Sequence, residues 1–214
     1  AVAALILGFS PTAWSQSNAM LAEKIAEARA ENQKNTVNYS WTKRTEIKVK
    51  GEVKSTTTEL VRYDVDGKMQ TTPISQNKAK GPKGIRGKVA KKKGGEMQEW
   101  MAGLARALRP YSLSAPESLV GFLDKAVVVP DGDDKKLVAE GVVKPGDTMT
   151  MWIDADAGMT RTEVMTEHDG AGVQLSTDHS TTPDGLDYVA RTVIVVPEKN
   201  IEMTVENFSY QLEK

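Results

Sequence analysis

Between Val127 and Leu212 the chain divides into seven short segments in which apolar and polar residues alternate: Val127–Val129, Lys136–Val143, Asp147–Asp154, Thr160–His168, Gly172–Thr181, Leu186–Val196 and Asn200–Leu212. A period of two is that of a half-buried strand. Turn residues fall between them at Pro130-Asp131-Gly132, Pro145-Gly146, Ala157-Gly158, Asp169-Gly170 and Pro183-Asp184-Gly185. Connections this tight rule out parallel pairing, which needs crossovers of a dozen residues or more, and predict an antiparallel meander. The same period governs Thr36 to Val65. There Val37, Tyr39, Trp41, Thr45, Ile47 and Val49 share one side, and Val53, Val61, Tyr63 and Val65 follow after a break at Lys50-Gly51. That spacing predicts a hairpin, and Asp66-Gly67 leads into a third short strand through Met69 and Thr71.

Helical spacing occurs in three places. Ser17 or Asn18 can cap a helix reaching about Lys34, with a thin apolar stripe of Leu21, Ile25 and Ala28 that packs one narrow face on something larger. Met97, Trp100, Met101, Leu104, Ala105 and Leu108 form the most regular stripe, stopped by Pro110. Ser114-Ala115-Pro116-Glu117 is a capping box for a second short helix carrying Leu119, Val120, Phe122, Leu123 and Ala126. The last two read as a helical hairpin laid on a sheet. About ten strands and three helices, without a Pro- or Ser-rich linker, predict a single α+β domain over 16–214.

The ends of the chain and its charges narrow its setting. Ala1 to Phe9 is an apolar run too short to span a bilayer and matches the core of a secretory signal peptide. Ala13-Trp14-Ser15 places small residues at a cleavage site after Ser15, so 1–15 is read as a signal peptide truncated at its front, and the mature chain as periplasmic or secreted. A second stretch of membrane-spanning length is absent from the sequence. The chain has no cysteine, which excludes disulfides, a thiol nucleophile and thiolate zinc sites.

Residues 77–95 carry eight of the chain's 28 cations, no acid and five glycines, leaving 20 cations against 29 acids elsewhere. This segment is expected to be a mobile basic loop, and Lys83, Arg86, Lys88, Lys91, Lys92 and Lys93 are its candidate anion-binding residues. An anionic membrane surface suits it better than nucleic acid, because no aromatic residues are interleaved.

The sequence offers little for catalysis. His168 and His179, beside Asp169 and Asp178, are two ligands at most and read as exposed surface histidines. Asp131, Asp133 and Asp134, and separately Asp154 and Asp156, lack the full spacing of a calcium loop and read as turns. No metal, cofactor or enzymatic activity is expected. The apolar faces instead suit a binding role. Tyr39, Trp41, Ile47, Val61, Tyr63, Met149 and Met151 on strands, with Met97, Trp100, Met101, Leu104, Leu108 and Phe122 on helices, form a candidate lining of thioethers and amphipathic aromatics suited to variable acyl chains. The same residues serve equally as a filled core, and a cavity is what separates the two.

The segment MWIDADAGMTRTEV, Met151 to Val164, resembles the strand, Asp-x-x-Thr/Ala-Gly turn and strand unit of LolA-like proteins, the superfamily of the lipoprotein localisation factor and outer-membrane lipoprotein-sorting proteins. The order of signal peptide, helix, long strands, central helices and long antiparallel strands is similar too. The resemblance implies a strongly curved antiparallel sheet, an open half-barrel, with helices packed on its concave face as a lid over acyl chains. It implies a non-catalytic envelope carrier of a lipid, acyl chain or lipoprotein. The alternative is an envelope interaction or sensor module that recognises a protein or glycan through the curved sheet.

Overall fold

A computed structural model of the chain describes residues 11–78, 85–113, 116–131, 134–154 and 158–213. The apolar run at 1–10, together with Lys80, Lys83, Ser114, Asp133 and Asp156, lies outside the described residues. The strands are β1 (Tyr39–Val49), β2 (Glu52–Tyr63), β3 (Met69–Lys78), β4 (Val127–Asp131), β5 (Asp134–Glu140), β6 (Thr148–Ile153), β7 (Met159–His168), β8 (Ala171–Thr181), β9 (Asp187–Val196) and β10 (Ile201–Leu212). The helices are α1 (Pro11–Thr36), α2 (Ile85–Leu108) and α3 (Pro116–Leu123), with 3-10 turns at Arg109–Ser112 and Pro197–Lys199.

All ten strands form one antiparallel sheet in the order β3-β2-β1-β10-β9-β8-β7-β6-β5-β4. It is a meander except at one seam, where the first strand pairs with the last, from Tyr39 opposite Leu212 to Val49 opposite Ile201. Two turns foreseen from sequence are left-handed at both central residues, as tight hairpins require: Lys50-Gly51 (φ 56° and 76°) and Asp169-Gly170 (φ 50° and 71°).

The sheet is open, and its two edges, β3 and β4, are consecutive in the chain. Everything between them must therefore cross the sheet from edge to edge. Nine gaps of about 4.8 Å make that width roughly 43 Å. A helix confined to Met97–Leu108 would cover only about 18 Å of it, whereas the 24 residues of α2 cover about 36 Å. This corrects the reading of 77–95 as a loop: β3 continues to Lys78, and 85–95 are helical. Ala90 and Lys91–Lys93 are good helix formers, so the helix set by the apolar stripe propagates backwards through them. Arg86, Lys88, Lys91, Lys92 and Lys93 thus lie on α2, where only the backbone is described.

The core fills one face of β5 to β10 beneath α2, the 3-10 turn at Arg109–Ser112 and α3. Leu104, Leu119, Phe122, Leu123, Leu137, Met149, Met151, Ile153, Val164 and Val173 are almost wholly enclosed. On β6 the alternation is complete, with Met149, Met151 and Ile153 turned inward. α1 contributes Ile25 to this core and packs against α3.

The strand expected over Lys136–Val143 stops at Glu140. Beyond it the chain folds around the carboxylate of Asp147, which is 1% exposed and accepts the amides of Val142 (2.6 Å), Val143 (3.0 Å) and Lys144 (2.9 Å) and the hydroxyl of Tyr111 (2.6 Å). An anion able to collect three successive amides outweighs two more rungs of ladder on an exposed stretch. The Asp154 turn follows a similar logic. Its Oδ1 accepts the Gly158 amide at 2.7 Å, and a Cβ at position 158 would lie 2.6 Å from Oδ2. The Asp and Gly of the segment that resembles the LolA-like unit are thus a cap and the vacancy it needs.

Candidate functional site

Sheet register explains where this fold is not filled. One row of inward residues runs Met149, Val164, Leu175, Ile194, Met203 and Ile47 across β6, β7, β8, β9, β10 and β1. The next row runs Met151, Thr162, Thr177, Thr192, Val205 and Thr45. Threonine is too short to bridge the gap to a helical layer, and the three central threonines leave space above them. Thr177 Oγ1 and Thr192 Oγ1 lie 3.5 Å apart on its floor.

That space is a chamber of about 470 Å³, bounded by Leu108, Tyr111, Met149, Leu175, Ile194 and the three threonines. Beside it lies a second chamber of about 430 Å³ under α1. Arg29, Ser112, Met159, His179 and Val189 line both, so the two are neighbours through a common wall of side chains. Each volume falls within the range of about 300–1,000 Å³ usual for small-molecule sites.

The second chamber has an aromatic wall. Tyr63, Trp41, Tyr210 and Tyr188 stand on the adjacent strands β2, β1, β10 and β9. Their ring centres are 6.1 Å apart for Trp41 and Tyr63, 5.3 Å for the stacked pair Trp41 and Tyr210, and 4.3 Å for Tyr188 and Tyr210. Trp41 donates its indole N–H to Asn207 Oδ1 (3.2 Å), and Asn207 donates to the Val189 carbonyl (2.8 Å), which fixes the wall to β9. Burial, with Tyr188 and Tyr63 nearby, raises the Tyr210 phenol well above its ordinary value.

α1 roofs this chamber through polar contacts. Asn32 Nδ2 donates to the Asp187 carbonyl (2.6 Å) while Asn32 Oδ1 accepts the Asp187 amide (2.8 Å), a two-point clamp onto the start of β9. Arg29 Nη1 donates to the carbonyl of Leu113 (2.6 Å), and Nη2 approaches the Met159 sulfur at 3.5 Å. Burial lowers the Arg29 guanidinium from its ordinary value.

His179, expected at the surface, instead faces both chambers. Burial and then the charge of Arg29 push its imidazole down to about 4, against the opposing pull of Asp187 and Asp178. It is therefore uncharged at neutral pH. His168 is also turned inward and lies against Trp100 with ring centres 5.3 Å apart. A Cβ on Gly103 would come within 3.1 Å of its Nε2. The two histidines do not converge, and no group of three metal-ligating side chains occurs among the described residues. Asp131, at the end of β4, accepts the Trp152 indole N–H of β6 (2.9 Å).

The residues singled out in the sequence are distributed over four environments. Trp41 and Tyr63 line the aromatic chamber, and Leu108 and Met149 the threonine-floored one. Ile47, Met97 and Met101 line a separate small chamber of about 180 Å³ beside Val49 and Ile201. Val61, Leu104, Phe122 and Met151 are enclosed at 1% exposure or less, Tyr39 hydrogen-bonds Asp184, and Trp100 packs on His168 beneath Lys199. The sequence reading missed Arg29, Asn32, Tyr188 and Tyr210, and placed His179 at the surface. Arg29 and Asn32 do extend the stripe of Leu21, Ile25 and Ala28 at helical spacing, and that signal was present.

No family model matches the chain, and no curated protein does. Several solved structures are similar to it in fold. A DUF1329 family protein from Desulfovibrio piger aligns over 92% of both chains with 10% identity and a TM-score of 0.42. A domain assigned to outer membrane lipoprotein sorting from Vibrio parahaemolyticus covers 90% of this chain and 94% of its own, at 13% identity and a TM-score of 0.42. A LolA superfamily protein from Nitrosomonas europaea covers the same shares at 8% identity and a TM-score of 0.38.

Proposed function

We propose that this protein is a non-catalytic carrier of the cell envelope that holds a lipid or acyl chain by hydrophobic burial. The observation that carries the reading is the pair of adjoining chambers between the helical layer and the sheet, one floored by threonines and walled by Leu108, Met149, Leu175 and Ile194. Burying an acyl chain contributes about 0.8 kcal/mol per methylene, so ten enclosed methylenes bring roughly 8 kcal/mol, enough for micromolar binding before ordering costs. A chain needs no directional partner, and a wall of thioethers, threonine methyls and aromatic faces accepts it in several poses. A filled core would favour an interaction module that recognises a protein or glycan, and the chambers support the carrier instead. No described helix is long and apolar enough to cross a membrane. The signal-like run at Ala1 to Phe9 supports an exported protein, whether periplasmic or secreted. The basic residues Lys83 to Lys93 would add attraction to an anionic lipid surface.

The test is occupancy. Native mass spectrometry of protein purified without detergent from a bacterial periplasm, followed by solvent extraction, is expected to reveal a lipid bound at one per chain. A Thr177→Phe variant fills the threonine-floored chamber with a residue that strands favour. Its affinity for a C16 ligand is expected to fall at least about tenfold, as the loss of one or two buried methylenes' worth of space already implies, with its melting temperature little changed. A folded variant that binds as the wild type does would place the acyl chain outside this chamber, and a wild type that binds no C16 ligand would sink the carrier reading.

A further inference from the structure

The wall common to the two chambers holds a charge that hydrophobic burial does not account for. Arg29 has five N–H donors and uses one on the Leu113 carbonyl and one on the Met159 sulfur, a weak acceptor. No carboxylate among the described residues pairs with it. Asp187, the acid that shares the aromatic chamber with it, accepts the Thr181 hydroxyl at 2.7 Å. Nor does Arg29 have to hold α1 in place, since Asn32 clamps that helix to Asp187.

Arg29 is half-buried, and a cation partly withdrawn from water without a counter-charge is costly. In a site for a neutral hydrocarbon, leucine or methionine in its place would lower that cost and add apolar wall. The guanidinium is instead placed where both chambers meet, beside the uncharged imidazole of His179, with its remaining donors available to an oxyanion, carboxylate or phosphate. The threonine-floored chamber, at about 470 Å³, is close in size to one C16 chain at roughly 30 Å³ per methylene.

We infer that the ligand is a single-chain anionic amphiphile whose carboxylate or phosphate is held by Arg29 where the chambers meet, with its acyl chain lying along Leu108, Met149, Leu175 and Ile194. This rests on the carrier reading and adds the headgroup to it.

Titration of the full chain at pH 7.5 with palmitate, hexadecyl phosphate, hexadecanol and inorganic phosphate separates the possibilities. The two charged C16 probes are expected to bind about tenfold to a hundredfold more tightly than hexadecanol, the range that charge-assisted hydrogen bonds supply. Inorganic phosphate is expected to compete with neither. The stronger of the two charged probes identifies the headgroup. Arg29→Met is expected to bind all three C16 probes alike, while Arg29→Lys keeps the preference for charge. Because the first comparison uses the wild type, it holds even if a variant fails to fold. Hexadecanol binding as tightly as palmitate and hexadecyl phosphate would overturn the headgroup assignment and leave the carrier reading standing. Failure of every C16 probe to bind would overturn the carrier reading itself. Competition by inorganic phosphate at the affinity of the charged amphiphiles would make this a free-oxyanion site and overturn the inference.

Discussion

Asp147→Ala is expected to lower the unfolding free energy by about 3 kcal/mol, the loss that follows when a carboxylate serving several donors at an enclosed site is removed. Four donors converge on that side chain: the Tyr111 hydroxyl and the amides of Val142, Val143 and Lys144. The Tyr111 phenol is the most enclosed of them, and its hydroxyl also lies 3.0 Å from Thr166 Oγ1, which ties the 3-10 turn after α2 to β7. Removing the carboxylate releases both the β5–β6 connection and the far end of the helical crossing. Urea unfolding checks this through a lower midpoint at unchanged slope. A loss below about 1 kcal/mol would mean that water replaces the carboxylate at no cost and that the network is only a surface turn.

The same pair fixes two pH limits of opposite sign. Burial alone would raise the Asp147 carboxyl, but the Tyr111 hydroxyl and the three amides together hold it below its ordinary value. The folded state therefore gains stability above the ordinary carboxylate range, and that gain is lost as pH falls through the lowered value. Burial and then the hydrogen bond to Asp147 push the Tyr111 phenol up to about 12, against the opposing hydrogen bond of Thr166. Its contribution is complete below the ordinary phenol value and is lost as pH rises towards 12. Asp147→Asn is expected to remove the first limit, and Tyr111→Phe the second.

His179 gives the second large effect, in a window that the Asp147 carboxyl does not reach. Its imidazole is held at about 4 in the folded protein and returns to its ordinary value near 6.5 on unfolding. Protons then bind the unfolded chain more readily throughout the interval. Stability is full above pH 6.5 and falls as the pH drops towards 4, by up to about 3 kcal/mol. His179→Gln is expected to flatten the dependence between those limits while leaving the steeper loss below pH 4. Chemical denaturation at pH 7, 5.5 and 4.5 measures it. A wild-type curve as flat as the variant's would show that the imidazole is hydrated and is not enclosed between Arg29 and the sheet.

The strands were the most readable part of the chain because their signal is local. Alternation and turn chemistry act over a few residues, and Asp169-Gly170 or Lys50-Gly51 needs no knowledge of the rest of the molecule. The seam between β1 and β10 has no local signal, and with it goes half of the aromatic wall. Tyr39, Trp41 and Tyr63 were recognisable as candidates, but Tyr188 and Tyr210 gain their meaning only when β9 and β10 come to lie beside β1. The threonine row was hidden for a different reason. Each threonine is an ordinary strand residue, and only register aligns Thr162, Thr177 and Thr192 under a helix that they are too short to meet. The stripe of α2 was read correctly as inward, yet Leu104 joins the filled core and Met101 a minor chamber, because periodicity gives a face without saying what lies opposite. The backward extension of α2 follows from sheet width, a property of the whole fold.

The seam also sets the order in which the molecule can be completed. β1 finds its second neighbour in the last strand of the chain, so during synthesis its free edge waits until residues 201–212 have emerged. An unpaired edge is a template for the wrong partner. β1 carries Lys43, Arg44, Glu46 and Lys48 close together; Lys43 is bound to Glu59 of β2 at 2.7 Å, and Lys48 to Glu202 at 2.9 Å once β10 has paired. Charges that contribute little to the finished surface thus act as gatekeepers on the unfinished one, protecting an edge that stays open until the final strand closes it.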